Sequence, residues 1–520
     1  MTKKAAPKSN EPTKGAPITK SVTNVSGGAN IEADNVDVAG DVVGHDKIVG
    51  QEIKATGRNI IQIGALNIPV VPLIGALAAG VLVLIVIGLS LRSIQSQLPV
   101  IAPTPARMQR DFNIAIAEFV EEGADHQFKI TDNSRRLSQS VNDTLVAELA
   151  AFPDPQLKSA IEIRYGTLPI TNGLVLSETD AAVVADRLGA DMVIYGSLDR
   201  AGNFTPQFYV SASVRAEIDA LLTGSQRFGD QPIPFNQASS LSASTDLRTR
   251  ASALFFIAAG LTYDVFGLAD KALVLYRQAE QNLTDWPEIG AGKEVLYFFK
   301  GQVALFRAQQ LRQTDKPAAQ NLTTEAEEAF RKAIGSNQNY ARAYIGLGTT
   351  FYTRLQLAPA ISETLGSSEM QQMFDAYQHG QQLAQTESDH LAELVGLWSY
   401  GLGFYQQGRA YQARGDAQNA IDSYRQAIAL IQGTLDPLKQ LDQPRVLAQA
   451  YLGLGAVYRE LAALQSSQGD TPGSRSSTDG AKAAFGQCIQ IGQASQDRIL
   501  KDLIAGQRCQ PLYDGLINKP

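Results

Sequence analysis

Two stretches, GLTYDVFGLADKALVLYRQA (residues 260–279) and GRAYQARGDAQNAIDSYRQA (residues 408–427), carry the same residue types at the same spacing. The matched positions are Gly260, Tyr263, Gly267, Ala272, Tyr276 and Ala279 in the first stretch and Gly408, Tyr411, Gly415, Ala420, Tyr424 and Ala427 in the second. Small residues let two helices approach closely, and aromatic residues fill the space beside them. The pattern therefore predicts a helix pair that recurs along the chain.

Three further segments carry the same marks with a longer middle. They contain Gly301 with Ala326, Phe330 and Ala333; Gly348 and Phe351 with Met373, Tyr377 and Gly380; and Gly455 and Tyr458 with Ala481, Phe485 and Cys488. The inserted stretches, such as QTDKPAAQNLTT (residues 313–324), are polar, which predicts surface loops or helix extensions. Residues 246–520 closely resemble tetratricopeptide repeats, in about five helix pairs of which three have insertions. The resemblance implies an all-α helical solenoid.

In tetratricopeptide proteins the first helix of each pair lines a concave groove, and the resemblance implies the same here. Carried over by spacing, the candidate partner groove consists of Phe298, Gln302, Arg342, Tyr352, Tyr405, Arg409 and Arg459. Interleaved aromatic and arginine side chains suit a peptide with acidic or aromatic character. The alternative is that these residues occupy ordinary packing and solvated positions.

Residues 111–245 predict a small α/β domain. Alternating apolar residues and four-residue helical spacing give the order β-α-β-α-β-β, which is typical of a mixed sheet covered by helices. NIAIAEF (residues 113–119) and LGADMVIYGSL (residues 188–198) are similar to the TolB amino-terminal and CsgG-like family. That resemblance implies a module for partner contacts that is not an enzyme.

The segment before this domain contains the most apolar stretch of the chain. Ile68 to Leu91 reads IPVVPLIGALAAGVLVLIVIGLSL, which predicts a single transmembrane helix. Lysines in the preceding tail favour a cytoplasmic N-terminus, with the C-terminal domains extracytoplasmic. Residues 1–24 predict a disordered tail, 25–66 short strands punctuated by glycine, and 92–110 a linker.

Composition limits the chemistry that this chain could perform. The net charge is -7 without long basic runs, which argues against nucleic-acid binding. Two cysteines and four histidines do not supply a typical zinc site, so we expect no metal. No Gly-rich phosphate fingerprint follows the first strand of the α/β domain and no Ser, Cys or His there has a nucleophile-elbow context, so we expect no cofactor and no catalytic residue. Glu118, Glu121 and Glu122 follow the first strand, where α/β sheets commonly bind ligands, but a solvated loop is the favoured interpretation.

The sequence allows two states for the cysteines, a free thiol or a disulfide. Cys488 lies at a small-residue position of the last helix pair, which is typical of a buried free thiol. If the domain is extracytoplasmic, a disulfide between Cys488 and Cys509 would fasten the C-terminal segment.

Together these features predict a membrane-anchored scaffold or sensor that binds protein or peptide partners through the repeats and the α/β module. The alternative is a structural component of the cell envelope in which the repeats self-associate.

Overall fold

The structure is a computed structural model of the 520-residue chain. Besides five short strands near the N-terminus, it describes residues 106–166, 173–212, 220–228, 233–234, 245–282, 292–495, 497 and 499–517. The chain divides into two compact units, Met1–Ala102 and Pro103–Pro520.

The first unit is described only by its strands. Their bounds are β1 (Thr23–Val25), β2 (Ala29–Ile31), β3 (Ile53–Ala55), β4 (Ile60–Ile63) and β5 (Leu66–Pro69). Strands β1 and β2 form an antiparallel pair, and β3, β4 and β5 form an antiparallel sheet. The predicted disordered tail lies outside the described residues except for Thr23 and Asn24, as does the predicted linker up to residue 105.

The prediction of a transmembrane helix over Ile68 to Leu91 is wrong, and so is the membrane location derived from it. Ile68 and Pro69 belong to β5, where they pair with Ile61 and Ile60 of β4 as extended backbone, so the helix cannot begin where the apolar run begins. Residues 70–91 lie outside the described part of the chain. Among the helices that are described, none combines the length and the apolar character needed to cross a membrane.

The second unit begins with a mixed sheet. Its strands are β6 (Phe112–Ala117), β7 (Val120–Glu122), β8 (Phe128–Lys129), β9 (Ile161–Gly166), β10 (Met192–Leu198), β11 (Asn203–Val210), β12 (Gly224–Arg227) and β13 (Ile233–Pro234). The central order is β12-β11-β10-β6-β9, with β6 parallel to both β9 and β10 and the remaining neighbours in that order antiparallel. The helices of this domain are α1 (Asp132–Ala151), α2 (Pro155–Ala160) and α3 (Glu178–Leu188).

The two faces of the sheet have different neighbours. Alternation along β6 sends Ala115 towards α3, whereas Ile114 and Ile116 join a core that continues into the helical repeats. Rings meet across this junction, since Phe208 of β11 lies 6.2 Å from Phe299. The sheet and the repeats therefore share one apolar core.

The helical repeat region consists of antiparallel pairs. The helices are α4 (Thr245–Val265), α5 (Ala269–Asn282), α6 (Lys293–Leu311), α7 (Lys316–Ser336), α8 (Ala341–Leu357), α9 (Ser368–Glu387), α10 (His390–Ala413), α11 (Ala417–Gln440), α12 (Pro444–Ser467) and α13 (Thr471–Ala494). Partners within a pair pack closely against each other, as α6 does with α7 and α12 with α13. Most residues of the insertion 313–324 lie in α7, so this insertion lengthens a helix.

The recurring glycines explain how the helices of a pair fit together. A Cβ atom added at Gly408 would lie 2.6 Å from the Tyr424 ring, which is closer than real Cβ contacts allow. Corresponding glycines meet the ring of the partner helix at Gly260 (Tyr276), Gly301 (Phe330), Gly348 (Tyr377) and Gly455 (Phe485). The glycine of the first helix thus makes room for the aromatic ring of the second.

A π-helix, Ile499–Cys509, packs on the last pair and is followed by α14 (Gln510–Ile517). Cys509 at its end is bonded to Cys488 of α13, and both cysteines are fully buried. We call Ile499–Cys509 the C-terminal cap.

Candidate functional site

The first helices of the pairs line the concave face of the repeats. Helix α6 contacts α8, α8 contacts α10, and α10 contacts α12, whereas the second helices of neighbouring pairs contact one another less. Elements on the inner side of a curved stack lie closer together, so this packing places the first helices inside.

The middle of this face carries an aromatic and cationic patch formed by Tyr352, Tyr405, Arg409 and Arg459. All four side chains are half-buried. The Arg409 guanidinium lies 5.8 Å from the centroid of the Tyr405 ring, which is a cation–π arrangement. Arg459 pairs with Glu460 at 3.0 Å, whereas Arg409 has no ion pair with any described residue.

The tyrosines of the patch stay neutral. Burial raises the pKa of Tyr405, and the nearby Arg409 only partly opposes this effect. Burial likewise raises the pKa of Tyr352. At neutral pH both phenols are therefore protonated, and each can donate a hydrogen bond.

Two of the predicted groove residues serve the protein's own packing. Phe298 is fully buried, and its ring lies 5.3 Å from Tyr340 and 5.9 Å from Phe299. Arg342 is also buried and fastens the α/β domain to the repeats. Its Nη1 donates to the carbonyls of Leu221 at 2.8 Å and Thr223 at 2.7 Å, and its Nε donates to Asp389 at 2.6 Å.

Gln302 lines a cavity of about 300 Å³ on the concave face. Helices α6, α8, α10 and α12 supply most of the wall, Leu221 of the α/β domain contributes to it, and so do Leu503, Ile504 and Arg508 of the C-terminal cap. Gln302 is 3% exposed, and its Nε2 has no hydrogen-bond partner among the residues that the structure describes. The indole Nε1 of Trp398, another wall residue, is also buried without a partner in this described part of the chain.

Sequence reasoning missed three contributors to this cavity. Trp398 lies in a repeat helix as a core aromatic would, and its polar edge gives no periodic signal. Leu221 reaches the cavity from a different domain, so no repeat spacing could place it there. Arg508 lies next to Cys509 in the C-terminal cap, outside the repeats, so no repeat spacing could place it in the cavity wall.

The carboxylates at the end of β6 are occupied by contacts within the domain. Glu118 pairs with Arg135 at 2.8 Å, and Glu122 contacts His126 at 2.7 Å. Glu121 accepts a hydrogen bond from the Thr131 hydroxyl. Across the part of the chain that the structure describes, no cluster of three or more His, Cys, Asp or Glu side chains is suited to a metal ion.

Among solved structures, those similar to this chain include repeat proteins. No protein-family model and no curated protein matches the chain. A thermophilic TPR protein of Thermus thermophilus has 17% identity and a TM-score of 0.28, over 49% of this chain and 97% of that one. A circular tandem repeat protein with novel repeat topology and enhanced subunit contact surfaces has 12% identity and a TM-score of 0.24, over 52% and 70%. The resemblance of the α/β domain to the TolB amino-terminal family stays a prediction.

Proposed function

We propose that this protein is a scaffold that binds a segment of a partner protein on the patch formed by Tyr352, Tyr405, Arg409 and Arg459. The bound segment carries acidic side chains next to aromatic ones. The observation that carries the proposal is Arg409, a half-buried cation that lies over Tyr405 without a carboxylate partner among the described residues.

The chemistry of the patch favours such a segment. A guanidinium presents several donors in a plane that matches a carboxylate, and partial burial strengthens a charged hydrogen bond. Aromatic faces beside it add contact area at little entropic cost, as in other peptide grooves. The neutral phenols of Tyr352 and Tyr405 supply further donors for backbone carbonyls of the segment.

The experiment is a selection from a library of short random peptides on the full chain, followed by fluorescence anisotropy with the enriched sequences. We expect the enriched peptides to contain Asp or Glu beside an aromatic residue. Arg409→Gln should weaken their binding about tenfold, as expected when one charge-assisted hydrogen bond is lost. Added salt should weaken binding to the wild type more than to the variant.

A matched control is Arg425→Gln on α11, the second helix of its pair. Arg425 is 64% exposed and only loosely paired with Asp422 at 3.7 Å, so its removal should leave peptide binding unchanged. The proposal fails if the two variants weaken binding equally, or if the enriched peptides lack acidic residues.

A further inference from the structure

The cavity of about 300 Å³ is built like a small-molecule site. Its walls are mostly aliphatic and aromatic, with Phe306, Leu402, Leu452 and Ile504 among them. A few polar groups point from these walls, which is the usual composition of ligand pockets. The volume is at the small end of that class and is about the volume that ten water molecules occupy in the liquid.

Two buried donors in the wall have no acceptor among the described residues. An indole N–H can only donate, so Trp398 Nε1 requires an acceptor atom from outside the described residues. Gln302 adds an amide group that is also buried and without a partner at Nε2. A buried donor left unpaired destabilises the folded protein, and a bound acceptor would remove that cost.

The charge of the wall selects the kind of acceptor. The described wall residues include Arg445 and Arg508 but no aspartate or glutamate. Asp497 already forms an ion pair with Arg445. Arg508 lies exposed on the C-terminal cap and forms no ion pair with a described residue, so it leaves a net positive charge at the edge of the cavity.

We propose that this cavity binds a small amphipathic carboxylate, with an aliphatic or aromatic body inside and the acid group towards Arg508. The apolar body gains free energy by burial against the aromatic and aliphatic walls. The carboxylate oxygens accept from Arg508 and from the buried donors. Arg409 does not line this cavity, although Tyr352 belongs to both the cavity wall and the patch, so the two proposals rest on different arginines.

Fluorescence of Trp398 gives a direct test with decanoate as the probe. The chain has two tryptophans, so Trp286→Phe leaves Trp398 as the only reporter. We expect a saturable change of emission with decanoate and binding about tenfold weaker with decan-1-ol, which has the same chain without the charge. Arg508→Gln should remove this tenfold difference while leaving decan-1-ol unchanged.

A pair of glycine variants tests the location. Gly453 lies in the wall, and a Cβ atom built there would be 3.3 Å from both Trp398 and Leu402, so Gly453→Leu should fill the cavity and abolish the response. Gly433, also in a helix, has no atom within 4 Å of such a Cβ, so Gly433→Leu should bind decanoate like the parent. Equal affinity for decanoate and decan-1-ol, no saturable response, or unchanged binding in a folded Gly453→Leu would overturn the proposal.

Discussion

Arg342 and Arg409 lie on two first helices, α8 and α10, and the repeat spacing predicts that both face a partner. The structure uses them differently. Arg342 is buried, with one carboxylate and two carbonyls of its own chain as acceptors. Arg409 is half-buried over a tyrosine ring and has no carboxylate among the described residues.

The difference shows how the concave face is divided. At one end the α/β domain already occupies it through the Leu221 and Thr223 carbonyls, so the arginine there serves the fold. In the middle, Arg409 has no carboxylate partner among the described residues, which is why we propose it as the group that binds another molecule. The same residue type therefore acts as an internal fastener in one place and as a candidate recognition group in the other.

The largest expected effect is the loss of Arg342. Arg342→Ala leaves the partly buried Asp389 without its cation and removes the hydrogen bonds from Arg342 to the Leu221 and Thr223 carbonyls, which should lower the free energy of unfolding by about 3–5 kcal/mol. Arg409→Ala removes a cation–π contact and should cost less than about 1 kcal/mol. Urea unfolding followed by circular dichroism measures both. Similar losses in the two variants would contradict the distinction drawn between the two arginines.

How far the sequence predicts this molecule depends on how local the contacts are. The helix pairs could be predicted because each glycine meets a ring in the adjacent helix, as Gly408 meets Tyr424, and this local fit repeats along the chain. The docking of Arg342 could not be predicted, since its carbonyl acceptors lie 119 and 121 residues away and leave no periodic pattern. The local sequence around an arginine on a first helix does not distinguish an acceptor in its own chain from an acceptor in a partner.

The apolar run from Ile68 shows a different limit. Its composition satisfied the length and hydropathy rules for a membrane span, yet β5 runs through its first two residues. Hydropathy measures the cost of exposing side chains to water and does not report which backbone hydrogen bonds form. The candidate partner patch stays a prediction for a related reason, because the contacts that would test it involve a second molecule.

A smaller effect concerns the helix that carries Arg409. Gly408→Ala places a Cβ atom against the Tyr424 ring, so α10 and α11 must separate, at a cost of about 1–3 kcal/mol in unfolding free energy. The shift should also weaken peptide binding at Arg409 while leaving the Arg342 contact intact. Gly433→Ala, in open space on α11, should be neutral or stabilise by up to about 1 kcal/mol. Thermal unfolding measures the stability of the two variants, and fluorescence anisotropy measures their peptide affinity. If Gly408→Ala is as stable as the wild type, the close fit between Gly408 and Tyr424 does not contribute to stability.

The smallest effect is the dependence of the Arg342 contact on pH. Partial burial of Asp389 acts to raise its pKa, but the Arg342 guanidinium outweighs burial, with help from the Ala392 backbone N–H, and holds the pKa below the ordinary value. A depressed carboxyl pKa contributes stability that is fully present above the unfolded pKa of about 4 and is lost as the pH falls through the folded value. The difference in unfolding free energy between wild type and Asp389→Asn should therefore be constant from pH 7 to about pH 5 and shrink at lower pH. Since Arg409 has no carboxylate partner in the described part of the chain, Arg409→Gln should differ from wild type by the same small amount at every pH. A parallel acid dependence in both variants would mean that Asp389 does not set the stability of the Arg342 contact.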